Sequence, residues 1–225
     1  MIPLSDDPVR RSAPIVMMAI LAVNIVVFLY ELSLGERGLE GFFYSAGVIP
    51  TEFLTGRNIG PPPPEGIIYL TLLTSMFMHG GFLHIASNML YLWVFGDNVE
   101  DQLGHGGFLL FYLLSGIIAS ATHIFMNQGS QIPSVGASGA IAGVLGAYLV
   151  MFPRATIRTL VFLGPFILMP RISGLILIGF WFVSQAFAGL ASLGAATEQT
   201  SGVAVWAHIG GFLAGIALLA VFRRR

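Results

Sequence analysis

Apolar residues in this chain are gathered into long runs from which charge is missing. Stretches without Asp, Glu, Lys or Arg cover 12–30, 66–96, 102–153, 172–197 and 199–222, with lengths of 19, 31, 52, 26 and 24 residues. A bilayer-spanning helix needs about 20 mostly apolar residues. The run of 52 is long enough for two, separated by the polar, Gly- and Pro-bearing stretch 127–133. The pattern predicts six spans, near 14–33, 82–98, 105–126, 137–152, 174–193 and 206–222. Residues 159–170 are apolar but too few to cross, with Pro165 in their middle. They are expected at the interface or packed between helices. The predicted fold is all-α, a polytopic membrane protein built as a six-transmembrane-helix bundle.

Composition agrees with that frame and removes other classes. Of 225 residues, 56% are hydrophobic and 9% charged, against roughly 25% charged in an average soluble domain. Ten basic and eleven acidic residues leave a net charge of -1, which offers no field to nucleic acid and excludes it as a partner. The chain has no cysteine, so disulfides, thiol nucleophiles and Cys-based zinc or iron–sulfur sites are excluded. Every basic residue is Arg. With six spans both termini share a side, and that side holds Arg10, Arg11, Arg154, Arg158, Arg171 and Arg223 to Arg225, against Arg37 and Arg57 opposite. The positive-inside rule then puts both termini in the cytoplasm. Residues 1–12 form a cytoplasmic segment, 13–222 the membrane domain and 223–225 a cytoplasmic basic tail. The first span lacks a small-residue cleavage site after a short apolar region and reads as an uncleaved signal anchor.

One connection stands out. The outer link 34–81 carries Glu36, Glu40, Glu52 and Glu65 and the run Pro61, Pro62, Pro63, Pro64, which favours extended geometry. Loops of that length without structure are uncommon. It is either a functional element or a tolerated surface insertion. Residues 67–78 are apolar enough to dip into the outer leaflet, so the loop is expected to be partly membrane-embedded.

Against so apolar a background the polar residues at membrane depth are candidates for function. His84 and Asn88 lie in the first two turns of span two, Ser138 opens span four and His208 is in the first turn of span six. All three spans run from outside to inside, so four polar side chains share one depth. Gly136, Ala137 and Gly139 around Ser138 leave room for a substrate backbone, and the helix N-terminus supplies unpaired N–H donors for an oxyanion. From Ser138 to the helix breaker Pro153 there are 15 residues, about 22 Å of helix against a hydrocarbon thickness near 30 Å. Ser138 should therefore lie below the outer surface. A serine needs a base, and neutral imidazole is the usual one. His208 is followed by Gly211 and Gly215, spaced for close helix contact. His84 and Asn88 are four apart, on one helical face, and both can donate to an oxyanion. His79 precedes Gly80 and Gly81 and belongs to the loop.

Ordinary packing accounts for the small-residue spacing of Gly139 and Gly143 taken alone. His105 and His123 read as histidines hydrogen-bonded across helices without chemistry, and Asp97, Glu100 and Asp101 as caps or pairs in the turn after span two. Trp93, Trp181 and Trp206 read as span or interface aromatics. A hydrolase elbow would want glycine where Ala140 stands, on a strand that no such chain is expected to have. No His-Glu-x-x-His spacing exists, and no zinc ligand set lies at that depth.

Taken together, these residues resemble the rhomboid intramembrane serine proteases. The likeness rests on residues 72–88, LLTSMFMHGGFLHIASN, with its His-x4-His-x3-Asn spacing, and on FGDNVED at 95–101, GASG at 136–139 and AHIGG at 207–211. These cover the core, about 70–222. The resemblance implies a Ser138–His208 dyad with no third acid and an acyl-enzyme. It implies an oxyanion pocket from His84, Asn88 and the Ser138 N–H, a structural or water-retaining role for His79, and no cofactor or metal. It implies membrane-anchored protein substrates, cut in or next to a transmembrane segment that unwinds easily, and a prokaryotic cell membrane as the location. One departure is Leu70-Thr71, where the family often has Trp-Arg before Leu-Leu-Thr. Two other classes fit parts of the pattern: a non-catalytic rhomboid-like binder of membrane segments, in which Ser138 would not react with a fluorophosphonate, and a transporter, in which flux would need His84 and His208 but not Ser138. No internal repeat favours the transporter.

Overall fold

A computed structural model describes residues 1–8, 10–59, 68–194 and 204–222. The expectations for Pro61 to Pro64 and for the 223–225 tail lie outside these residues. After a first strand β1 (Ile2–Asp6) come α1 (Ile15–Ser33), α2 (Gly35–Ala46) and α3 (Pro50–Thr55). Next are α4 (Thr71–Thr74), flanked by single 3-10 turns at Ile68–Leu70 and Ser75–Phe77, then α5 (Phe82–Leu103), α6 (His105–Met126) and α7 (Ser138–Met151). The chain continues through β2 (Thr156–Leu163), β3 (Phe166–Leu168) and β4 (Arg171–Ser173) to α8 (Gly174–Gly194) and α9 (Val205–Phe222).

Six long helices occupy the six predicted segments, and they differ in what they are able to cross. Helices α1, α6, α8 and α9 are each long and apolar enough for a bilayer, which makes the chain a multi-pass membrane protein. Helix α5 reaches that standard only together with Ile68–Phe77, from which it bends by 82°. Helix α7 has 14 residues, about 21 Å. Its residues from Gly139 to Tyr148 are all buried, which explains an apolar surface with no polar face: a helix hydrophobic all round belongs in the centre. Tyr112, Phe108 and Phe111 of α6 and Phe95 of α5 complete the core around it.

The link between α1 and α5 is not a structureless loop. Helices α2 and α3 occupy much of it, and Val48 pairs with Ser134 through two backbone hydrogen bonds of 3.0 and 2.8 Å. That pairing anchors the link to the segment before α7.

The acidic residues 97, 100 and 101 lie inside the last turns of α5, which runs on to Leu103, and they tie down the N-terminal segment. Glu100 accepts hydrogen bonds from the Val16 and Met17 N–H groups at 3.0 and 2.7 Å, capping in trans an α1 N-terminus that has no side-chain cap of its own. Asp101 accepts from the Arg11 and Ser12 N–H groups and the Ser12 hydroxyl, and Asp97 pairs with Arg10 at 3.1 Å. A Cβ on Gly96 would sit 3.0 Å from Met17 Cγ, so α1 crosses α5 where glycine leaves room.

The chain is mostly helical, as expected, but the expectation that it holds no sheet is overturned. Strand β2 pairs antiparallel with β1, β3 and β4. Residues 159–170 are therefore not packed between helices but form most of a hairpin turning at Gly164, φ +59°. Alternation is present in its base, with Ile157 and Thr159 buried and Arg158 exposed. It is lost toward the tip, where Phe162, Leu163, Phe166 and Ile167 are all exposed. The period-2 signal is thus only four residues long, and the pairing partner β1 lies some 150 residues earlier, beyond the reach of a local pattern.

Strand β1 is held by Asp6, which accepts from the Tyr148 hydroxyl at 2.6 Å and Asn98 Nδ2 at 2.9 Å. Burial raises the Asp6 carboxyl from 3.8 to about 6; the Tyr148 hydrogen bond opposes this and the Asp97 carboxylate adds to it. A carboxyl raised in the folded state favours folding most when protonated. Its contribution is complete below about pH 3.8 and fades as pH rises through about 6. Protection factors of the β1 amides, corrected for the intrinsic pH dependence of amide exchange, should accordingly be higher at pH 4 than at pH 7, and Asp6→Asn should remove that difference. Equal β1 protection at both pH values in the unaltered protein would contradict the assignment.

Candidate active site

Small residues decide how closely α7 and α9 approach. A Cβ on Gly211 would run into the Gly139 carbonyl oxygen, and one on Gly215 into that of Gly143. On another side of α7, a Cβ at Gly139 would lie 2.7 Å from Ala119 Cβ and one at Gly143 2.6 Å from Ser115 Cβ. Backbone packed against backbone brings the two helix starts together. Ser138 Oγ lies 2.8 Å from His208 Nε2. His208 is 8% exposed, and the Trp181 ring covers it at a centroid distance of 5.6 Å. The other ring nitrogen, Nδ1, is 2.8 Å from Gln185 Oε1 on α8.

A second set of groups arrives from α5 and the bent segment before it. The Gly80 N–H donates to His84 Nδ1 at 3.3 Å, which leaves the His84 proton on Nε2. A Cβ at Gly136 would lie 2.8 Å from that Nε2. Gly136 has φ 137°, and its N–H donates to the Ser75 carbonyl at 2.8 Å. Glycine is therefore required here twice over, by backbone conformation and by the imidazole beside it. Asn88, one turn after His84, is buried, and its Nδ2 has no hydrogen-bond partner among the described residues. An unsatisfied buried amide is costly, and Asn24, His79, Tyr112 and Ser115 also bury polar atoms without a partner among the described residues. Beside Ser138, Gly136 and Gly139 lies a cavity of about 20 Å³, bordered by Ser75, Ser120 and Ser134, enough for one water.

His79 lies in the connection before α5, as expected, but it is 1% exposed. Its N–H donates to the Glu31 carboxylate at 3.1 and 3.3 Å, and its ring meets His84 edge-on at 5.1 Å. Its place is behind His84, supporting that ring. His105 bonds Glu100 across the α5–α6 junction at 2.5 Å, in line with a structural histidine. His123 instead bonds Asn127 within its own helix end at 3.2 Å.

Comparison with known proteins closes the question of kinship. The Rhomboid domain family model matches residues 68–225. The chain belongs to the rhomboid family. Rhomboid protein 1, mitochondrial, of Saccharomyces cerevisiae is 31% identical over 152 residues, 65% of this chain and 39% of that protein. Rhomboid protease GluP of Bacillus subtilis is 51% identical over 79 residues, 35% of this chain and 15% of that protein. Putative rhomboid protease YdcA of the same organism is 36% identical over 104 residues, 46% of this chain and 50% of that protein. This rhomboid thus spans half or less of the length of these relatives.

Sequence reasoning placed Ser138, His208, His84, Gly136 and Gly139 in one neighbourhood, with Asn88 on the same helix as His84. It missed Gln185 and Trp181 of α8, Ser75 and Glu31. Gln185 left a signal: it is the sole amide in the run 174–194, whose other polar side chains are Ser184 and Ser192, and polar side chains in such helices seek partners on neighbouring helices. Ser75 acts through its backbone, which leaves no trace in residue type.

Proposed function

We propose that this rhomboid is an intramembrane serine endopeptidase. The Ser138 Oγ to His208 Nε2 distance of 2.8 Å carries the reading, since it joins a hydroxyl at a helix start to an imidazole that can take its proton. Ser138 attacks a peptide carbonyl while Nε2 takes the hydroxyl proton. The oxyanion is met by Asn88 Nδ2, His84 Nε2–H and the Ser138 N–H at the α7 start. Nε2–H then protonates the departing amine, leaving an acyl-enzyme on Ser138. A water, for which the cavity beside Ser138 has room, gives a proton to Nε2 as its oxygen attacks the acyl carbon; Nε2–H then returns that proton to Ser138 Oγ as the ester bond breaks and the acid leaves. The chain's own groups supply every step.

Six crossings with both termini cytoplasmic place these groups toward the outer side. A helix α7 of about 21 Å within a hydrocarbon layer near 30 Å keeps Ser138 below the surface. The bent segment Ile68–Phe77 fits the partly embedded outer loop. Substrates are then membrane-anchored proteins of a cell membrane whose transmembrane segment unwinds locally, because a peptide bond inside a regular helix is shielded by its own hydrogen bonds and side chains. Reconstituted protein should cut a single-span substrate, and a fluorophosphonate should add to Ser138 and stop that cleavage. A protein that cuts while Ser138 remains unmodified would refute the mechanism, and one that binds the segment without reacting would be the non-catalytic binder.

Asn88→Ala should lower kcat by about 10²- to 10³-fold, the usual cost of one oxyanion donor, with little change in KM or in thermal stability. A stability loss with normal kcat would instead make Asn88 a packing residue.

A further inference from the structure

The hydrogen bonds around His208 form a directed chain that runs into α8. The Ser184 hydroxyl donates to the Trp181 carbonyl at 2.6 Å, so its oxygen is free to accept. Gln185 Nε2 donates to that oxygen at 3.4 Å. This holds the amide with its nitrogen toward Ser184 and its Oε1 toward His208 Nδ1, 2.8 Å away. An amide oxygen only accepts, so Nδ1 carries the imidazole proton. Nε2 is then bare toward Ser138 Oγ, the one tautomer that can take the serine proton. Were the amide reversed, Nδ1 would accept, Nε2 would be protonated, and the base would be blocked.

We propose that Gln185 is a third, positioning member of the site, which locks His208 in the competent tautomer and so makes the dyad dependent on α8 being seated. This rests on the protease reading. A neutral amide suits the location: a carboxylate would hold the imidazolium more strongly, but an unpaired charge at that depth is expensive, whereas an amide orients the ring without one. Trp181, one turn earlier on α8, covers the same ring, so a single stretch of α8 both shields and orients the base.

The test uses full-length protein in liposomes with Gln185→Leu and Gln185→Glu. Leucine suits an apolar helix and removes the acceptor; kcat should fall about 10- to 100-fold, as for other orienting partners of histidine, with KM unchanged. Glutamate keeps an acceptor oxygen and adds charge, so it should retain much of the turnover and move the acidic limb of the kcat/KM profile upward by about one pH unit. Imidazole nitrogen NMR should report Nδ1–H at His208 in the unaltered protein and a mixture of tautomers in Gln185→Leu. Wild-type kcat in Gln185→Leu, or an unmoved acidic limb in Gln185→Glu, overturns the role while Ser138-dependent turnover leaves the protease reading standing. If turnover instead survives Ser138→Ala, the protease reading falls, and the tautomer measured by NMR still decides what Gln185 does.

Discussion

Ser138→Ala is expected to reduce hydrolysis of a reconstituted single-span substrate by at least about 10⁴-fold. Removing the nucleophile removes the covalent route altogether, and only oxyanion stabilisation of direct attack by water remains. His208→Ala should cost a similar factor, because without a base at 2.8 Å the hydroxyl stays protonated. The double variant should be hardly worse than either single one, since groups that act as a unit lose their joint contribution once. Thermal stability should change little: Ser138 opens the helix, and its hydroxyl bonds His208 and not the helix backbone. Turnover within tenfold of wild type in Ser138→Ala would remove the proposed mechanism.

Gly211→Val is expected to damage the protein more broadly. A Cβ there meets a backbone carbonyl, that of Gly139, which cannot swing aside as a side chain could. Overpacking a fitted contact costs about 1–3 kcal/mol or more, and α9 must move away from α7 to relieve it. A shift of about 1 Å in reacting groups can cost on the order of 10²-fold in rate. Activity should therefore fall at least about 10²-fold together with a lower melting temperature, whereas Ser138→Ala loses only activity. Gly179 and Gly106 serve as controls, since a Cβ at either meets nothing within 4 Å. Alanine there should leave turnover intact and stability unchanged or slightly raised, because glycine within a helix carries an entropic penalty. Normal activity and melting in Gly211→Val would mean that close packing of α7 on α9 does not set the dyad.

These two variants separate what different residues contribute, and the same separation runs through what was legible in advance. Helices α1, α6, α8 and α9 were readable because each needs only a local property, an apolar run long enough for a bilayer, and α5 and α7 because charge-free stretches hold most of the first and all of the second. The pairing of Ser138 with His208 was readable in outline for a related reason: glycines four residues apart announce a close helix contact wherever it falls. The sheet was not readable, because Ile157 and Thr159 alternate with exposed neighbours for only one short stretch, and β1, which pairs with them, is supplied from the other end of the chain. Nor were the roles of Glu100 and Asp101, which look like surface caps in sequence yet close the amide groups of a segment more than 80 residues away.

By itself, then, the amino-acid sequence determined that this is a multi-pass helical membrane protein, and it picked out Ser138, His208, His84 and Asn88 as the polar groups that an apolar environment would not tolerate without purpose. Both follow from composition and short-range spacing, which act through solvation and helix periodicity. Only the tertiary structure decided that α7 is wrapped on every side, that His84 turns Nε2 toward Gly136 because Gly80 occupies Nδ1, and that Gln185 faces His208. Those facts depend on which helices touch and on the direction of individual hydrogen bonds, and groups brought together from distant parts of the chain leave no periodic mark in any one of them.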